Sequence, residues 1–185
     1  PLRNIKMAPN ENKNQPPVNN IQGFEDIFDF DFHNNTPIHM AAKNGHLSIC
    51  ELLIKWIENS HPEKIKYANA ANSQGSTPLH WAAKFGHLAV CQFLVGKVED
   101  TDLENGLGAT PLSCAVRNGH SAIFHLLFES IVEKRHINNS DNYGRTPLHY
   151  AALNNLQSVC QKIMEINDVD NQVLVEDFDG ITQFH

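Results

Sequence analysis

Apolar and polar positions along the chain fall into a two-stage pattern that returns four times. From Pro78 to Phe85, Leu79, Ala82 and Ala83 recur at helical spacing, and from Leu88 a second period places Val90, Cys91, Phe93 and Leu94 on one face. Between the two, Gly86 suits a helix end, where a left-handed residue without a Cβ carries no steric penalty. At the start, the Thr77 hydroxyl is placed to cap the first helix, and Pro78 suits the first helical position, where its missing N–H has no helical partner to lose. The pattern predicts helix, tight turn, helix over 78–85 and 88–95. It predicts further pairs at 37–44 and 47–58, 111–118 and 121–132, and 147–154 and 157–166. In the third pair Ala122, Ile123, Leu126 and Leu127 are expected to face inward. In the fourth, Asn155 stands where the others have the turn glycine, and Leu156 where they have a histidine.

The copies align on Thr36-Pro37-Ile38-His39, Thr77-Pro78-Leu79-His80, Thr110-Pro111-Leu112-Ser113 and Thr146-Pro147-Leu148-His149, and a fifth begins at Thr182. The steps between these threonines are 41, 33, 36 and 36 residues. Spacing and motif resemble the ankyrin repeat, whose period is about 33 residues and whose signature is T-P-L-H-x-A. The resemblance covers residues 28–185 and implies an all-α fold, an ankyrin-repeat solenoid of stacked helix-turn-helix units with hairpin-like loops. Residues 1–20 are expected to be a flexible Asn/Pro-rich linker and 21–35 an N-terminal lid and first loop. Repeats would fill 36–185, starting near 36, 77, 110 and 146, with a truncated one from 182. Phe28, Phe30 and Phe32 would form the lid, Asp31 a turn, and Asn34 a position of positive φ. The first repeat carries 41−33 = 8 extra residues, expected in a loop centred on residues 59–63. The last two carry 36−33 = 3 each, expected to add a helical turn. Alanines at 41, 42, 82, 83, 115, 151 and 152 would let successive first helices approach closely, so the stack should curve with those helices on its concave side.

Charge narrows the choice of partner. With 14 Lys and Arg against 21 Asp and Glu the chain carries a net charge of −7, which argues against nucleic acid as the main ligand. No apolar run reaches the 18 or so residues of a membrane span, so direct membrane insertion by this segment is not expected. Lacking an initiator Met and ending inside a repeat, the sequence is expected to be a segment of a longer protein. Cys50, Cys91 and Cys160 each lie fourteen residues after their threonine, where Phe124 stands in the third copy. They would line one apolar rung of the second helices, too far apart for disulfides and behaving as small hydrophobes. That favours a reducing compartment, cytoplasmic or nuclear.

Eleven histidines invite a metal site, but His39, His80, His149 and His185 share one repeat position and His46, His87 and His120 another. Rungs about 8–10 Å apart cannot converge on one ion, so no metal and no cofactor are expected. Ser113 has no base placed beside it, and Asp31, Asp141 and Asp177 suit turns that bond nearby backbone. The chain is therefore expected not to be an enzyme.

The resemblance implies a protein-binding surface on loop tips and the exposed face of the first helices. By register that surface comprises Phe32, His33, Lys43, Trp81, Lys84, Phe85, Leu107, Arg117, Tyr143, Arg145, Tyr150 and Leu153. Asn35, Ser76, Ala109, Phe178, Asp179 and Ile181 also fall at tip positions. Trp81 and Tyr150 stand where consensus repeats have Leu, a half-buried packing position. Asn69 and Asn138, each six residues before a loop glycine, match the position at which intracellular ankyrin repeats can be hydroxylated. The expected function is a non-enzymatic scaffold binding a partner protein on its concave face. Alternatives are a cytoplasmic regulatory arm of a membrane channel or multidomain enzyme, and a secreted effector that mimics host scaffolds.

Overall fold

A computed structural model of the chain describes residues 30–131 and 137–170. Over these residues it contains eight α-helices in four pairs: α1 (Pro37–Lys43) with α2 (Leu47–Ser60), α3 (Pro78–Phe85) with α4 (Leu88–Val95), α5 (Pro111–Arg117) with α6 (Ser121–Ser130), and α7 (Pro147–Leu153) with α8 (Gln157–Asp170). The predicted pairs are all present. The incipient fifth copy, the linker and Phe28 lie outside the described residues. First helices pack on first helices and second on second along the array, the first-helix row more closely. Ala42, Ala82, Ala83, Ala115 and Ala151 are wholly buried in that closer row. With no side chain beyond Cβ they let helix axes approach, and the bulkier second row fans out behind them. The first helices therefore line the concave side.

One continuous core runs the length of the stack. Ile38, Leu79, Leu112 and Leu148 fill it from the first helices, and Ile54, Leu94, Leu127 and Ile163 from the second. Cys50, Cys91 and Phe124 are fully buried on one rung, Cys160 partly so, and none of the four cysteines is in a disulfide. Burial pushes the Cys50 thiol up to about 11 and the Cys91 thiol up to about 12, which leaves both as inert packing groups.

Four expectations change. The eight-residue insertion is not an open loop: Pro62–Asn69 forms a 3₁₀ helix against α2, with Ala68 buried and Ile65 partly so. Besides α2 it reaches α3, so its apolar residues pack onto helices of the first two repeats. Phe32 does not close a lid. The Asn34 N–H donates to the Asp31 carbonyl at 2.9 Å, and this tight turn pitches the Phe32 ring wholly into solvent, while Phe30 stays half exposed with its ring 6.1 Å from that of Tyr67. In α6 the inward stripe is Ile123, Phe124, Leu127 and Phe128; Ala122 is exposed and Leu126 half-buried. That helix ends at Ser130, two residues short of the predicted limit, so no full extra turn is added there.

Candidate functional site

The site is what remains once the structural positions are satisfied. In each hairpin loop one side chain bonds the backbone of the turn it starts. Asp31 Oδ1 accepts from the His33 and Asn35 N–H groups, Asn72 Oδ1 from Gln74 and Ser76, Asn105 Oδ1 from Leu107 and Ala109, and Asp141 Oδ1 from Tyr143 and Arg145, all at 2.8–3.1 Å. Three residues on, Asn34, Gly75, Gly108 and Gly144 take positive φ. Successive loops are joined by backbone bonds, from Ser73 N–H to the His33 carbonyl at 2.9 Å, Gly106 N–H to Gln74 at 2.8 Å and Asn142 N–H to Leu107 at 3.3 Å. Turn side chains were legible at Asp31 and Asp141; Asn72 and Asn105 do the same work with the same oxygen.

Two sets of histidines tie the repeats together in opposite directions. The Thr77 N–H donates to His80 Nδ1 at 3.1 Å, so the ring proton sits on Nε2, which donates to the Ala109 carbonyl of the next repeat at 3.0 Å. His39 is bonded alike, to Thr36 N–H and the Ser76 carbonyl. Desolvation by burial lowers the pKa of both imidazoles, that of His80 to about 4. The turn histidines reach backward: His87 Nε2 donates to the Lys43 carbonyl at 2.9 Å and His120 Nε2 to that of Lys84 at 3.2 Å. Where Leu156 replaces the third, Asn154 Nδ2 takes over, donating to the Val116 and Arg117 carbonyls at 2.9 and 3.0 Å. Among the described residues no group of three His, Cys, Asp or Glu could hold a metal ion.

Along the first helices and loop tips lie two cation–aromatic clusters, partly exposed. In the first, Lys43 Nζ lies 4.8 Å from the Trp81 ring centroid and 5.9 Å from that of Phe85, while Lys84 Nζ lies 5.6 Å from Phe85. Trp81 and Phe85 meet edge to face at 6.4 Å. The second cluster joins the third and fourth repeats. Arg117 lies over the Tyr150 ring at 5.2 Å, and Arg145 over Tyr143 at 5.0 Å and Tyr150 at 5.8 Å. Arg145 Nε is buried without a hydrogen bond, its guanidinium held by the two rings instead.

Of the twelve residues expected on this surface, Phe32, His33, Lys84, Phe85, Leu107, Arg117, Tyr143 and Leu153 are exposed, and Lys43, Trp81 and Arg145 half-buried. Tyr150 is not available. Only 4 % of it is accessible, and its hydroxyl donates to Asp141 Oδ2 at 2.6 Å; burial and that bond push its pKa up to about 12. The Asp141 carboxylate draws the phenol inward, where the second and third loops offer Asn72 and Asn105. Asn35, Ser76 and Ala109 are buried between loops and leave the surface as well, and Phe178, Asp179 and Ile181 lie outside the described residues. Met40, 43 % exposed, belongs to the row that Trp81 occupies and was missed, although its register position four residues after the threonine marks it. Asn69 ends the 3₁₀ helix with Nδ2 bonded to the Asp100 carbonyl at 2.9 Å; Asn138 is half-buried.

A family model for ankyrin repeats (3 copies) matches residues 12–105 and 97–173. No curated protein sequence matches the chain.

Proposed function

The chain belongs to the ankyrin repeat family, whose members generally mediate protein–protein interaction, and from that membership we propose that it is a non-enzymatic scaffold binding a partner protein on its concave face. One observation carries the reading. Phe85, Leu107, Tyr143 and Leu153 keep 45–76 % of their surface in water on the side where the first helices and loop tips lie, beside cations already aligned on aromatic rings. Large apolar groups without an internal role, set among Arg and Trp, have the make-up of binding hot spots. The backbone beneath them is fixed by the loop and histidine bonds, so association would order little and lose little entropy. The buried, unpaired thiols suit a reducing compartment, and we place the protein there.

Phe85→Ala and Tyr143→Ala are expected to weaken binding of the native partner about 5- to 30-fold each, with the midpoint of thermal unfolding nearly unchanged. Affinity captured on wild-type and variant protein, beside melting curves of both, measures this. Lowered melting temperatures with affinity intact would return the two residues to packing.

A further inference from the structure

The charges of this acidic chain are sorted by face. The four first helices, PIHMAAK, PLHWAAKF, PLSCAVR and PLHYAAL, contain no carboxylate; their only charged side chains are Lys43, Lys84 and Arg117, all at one register position. Arg145 adds a fourth cation from the loop tips, over Tyr143. Among the described residues two carboxylates lie on those tips. Asp31 is engaged by the His33 and Asn35 amides. Asp141 accepts from the Tyr150 hydroxyl and lies 4.0 Å from the Arg117 guanidinium. The other described acids, among them Glu51, Glu58, Glu129 and Glu165, sit on the second helices and the connections that follow them. A row of cations with rings between them thus lines a face whose protein carries −7 overall.

We infer that this face takes an acidic segment of a partner protein with an aromatic or aliphatic anchor, carboxylates meeting Lys84 and Arg117 and the anchor meeting Phe85 and Trp81. The inference rests on the scaffold reading and specifies its partner. Four cations spread over four repeats match a few carboxylates on an extended peptide. The net negative charge of the rest of the molecule repels a long polyanion such as nucleic acid, whose binding needs many phosphates neutralised together. The same field steers an acidic peptide toward this face and away from the second-helix side.

The test uses the 185-residue chain and short synthetic peptides, each with a central Phe-Leu pair flanked by Asp and Glu, by Asn and Gln, or by Lys. The acidic peptide should bind about tenfold tighter than its amide counterpart at low salt and lose that margin as salt rises. The basic peptide should not bind. Lys84→Glu and Arg117→Glu should each remove most of the margin, and Lys84→Arg should keep it; Lys84 is exposed, so its variants should melt like the wild type. Equal affinity for the amide peptide, acidic-peptide binding unaffected by Lys84→Glu, or tighter binding of single-stranded nucleic acid through the same residues would each overturn the inference. If the native partner is lost with Phe85→Ala but kept with Lys84→Glu, the scaffold stands and the acidic segment falls. If both variants keep it, the concave face itself is not the binding surface.

Discussion

His80 shows how much one side chain carries. Protonating Nδ1 would aim a proton at the Thr77 N–H that now donates to it, and burial opposes the charge as well. Its folded-state pKa of about 4 lies below the ordinary 6.5, so the unfolded chain binds more protons between those values. Stability is full above about pH 6.5 and falls as pH drops toward 4. The loss should reach on the order of 2 kcal/mol at pH 5, and His39 shifts in the same direction. Melting temperatures at pH 7 and pH 5 check this; a flat profile would contradict it. The glycines offer a second test. Gly86 and Gly119 both have φ +81°, but a Cβ on Gly86 would lie 2.6 Å from the His120 ring, whereas one on Gly119 meets nothing within 4 Å. The fourth repeat has Leu156 where a histidine would close over Gly119. Both alanine variants carry left-handed strain of about 1 kcal/mol, and Gly86→Ala should lose on the order of 1–2 kcal/mol more from the clash, read from denaturant unfolding.

Between elements, the weak joint is the one from the third repeat to the fourth. Ser113 satisfies the helix start locally, accepting from the Thr110 N–H and donating to the Thr110 carbonyl, both at 2.9 Å. A hydroxyl has no second nitrogen to reach forward as His39 and His80 do. The corresponding Arg145 carbonyl keeps its bond from the Asp141 N–H but has no forward-reaching histidine. Ser113→His should supply that bond and raise stability by about 0.5–1.5 kcal/mol, seen as a higher denaturation midpoint. No gain would mean that the Tyr150–Asp141 contact already occupies the space. That contact is also why a residue legible as a candidate anchor turned inward: nothing in the sequence around Tyr150 announces the carboxylate nine residues before it as its partner.

At the scale of the whole molecule, stability in a linear stack comes from each repeat and its two neighbours. Helices α3 and α5 are flanked on both sides by described first helices and hold the wholly buried Ala82, Ala83 and Ala115. Their amides should exchange with solvent most slowly, as native-state hydrogen exchange can measure. Slowest exchange in α2 or α8 would show that the stack is held from its ends. The sorting of charge by face belongs to this scale too, since it exists only once four distant segments lie side by side.

Helix order, cap chemistry and the buried rung of Cys50, Cys91 and Phe124 were legible in the sequence, because each depends on short-range spacing that repeats in register. What the insertion would pack on, which way the Phe32 and Tyr150 rings would turn, and how Asn154 would cover for a missing histidine depended on turn geometry and tertiary contacts that helical spacing does not encode. Local spacing determines which residues form a helix. Only the packed array determines which side chains find a partner across the seam and which are left for another molecule.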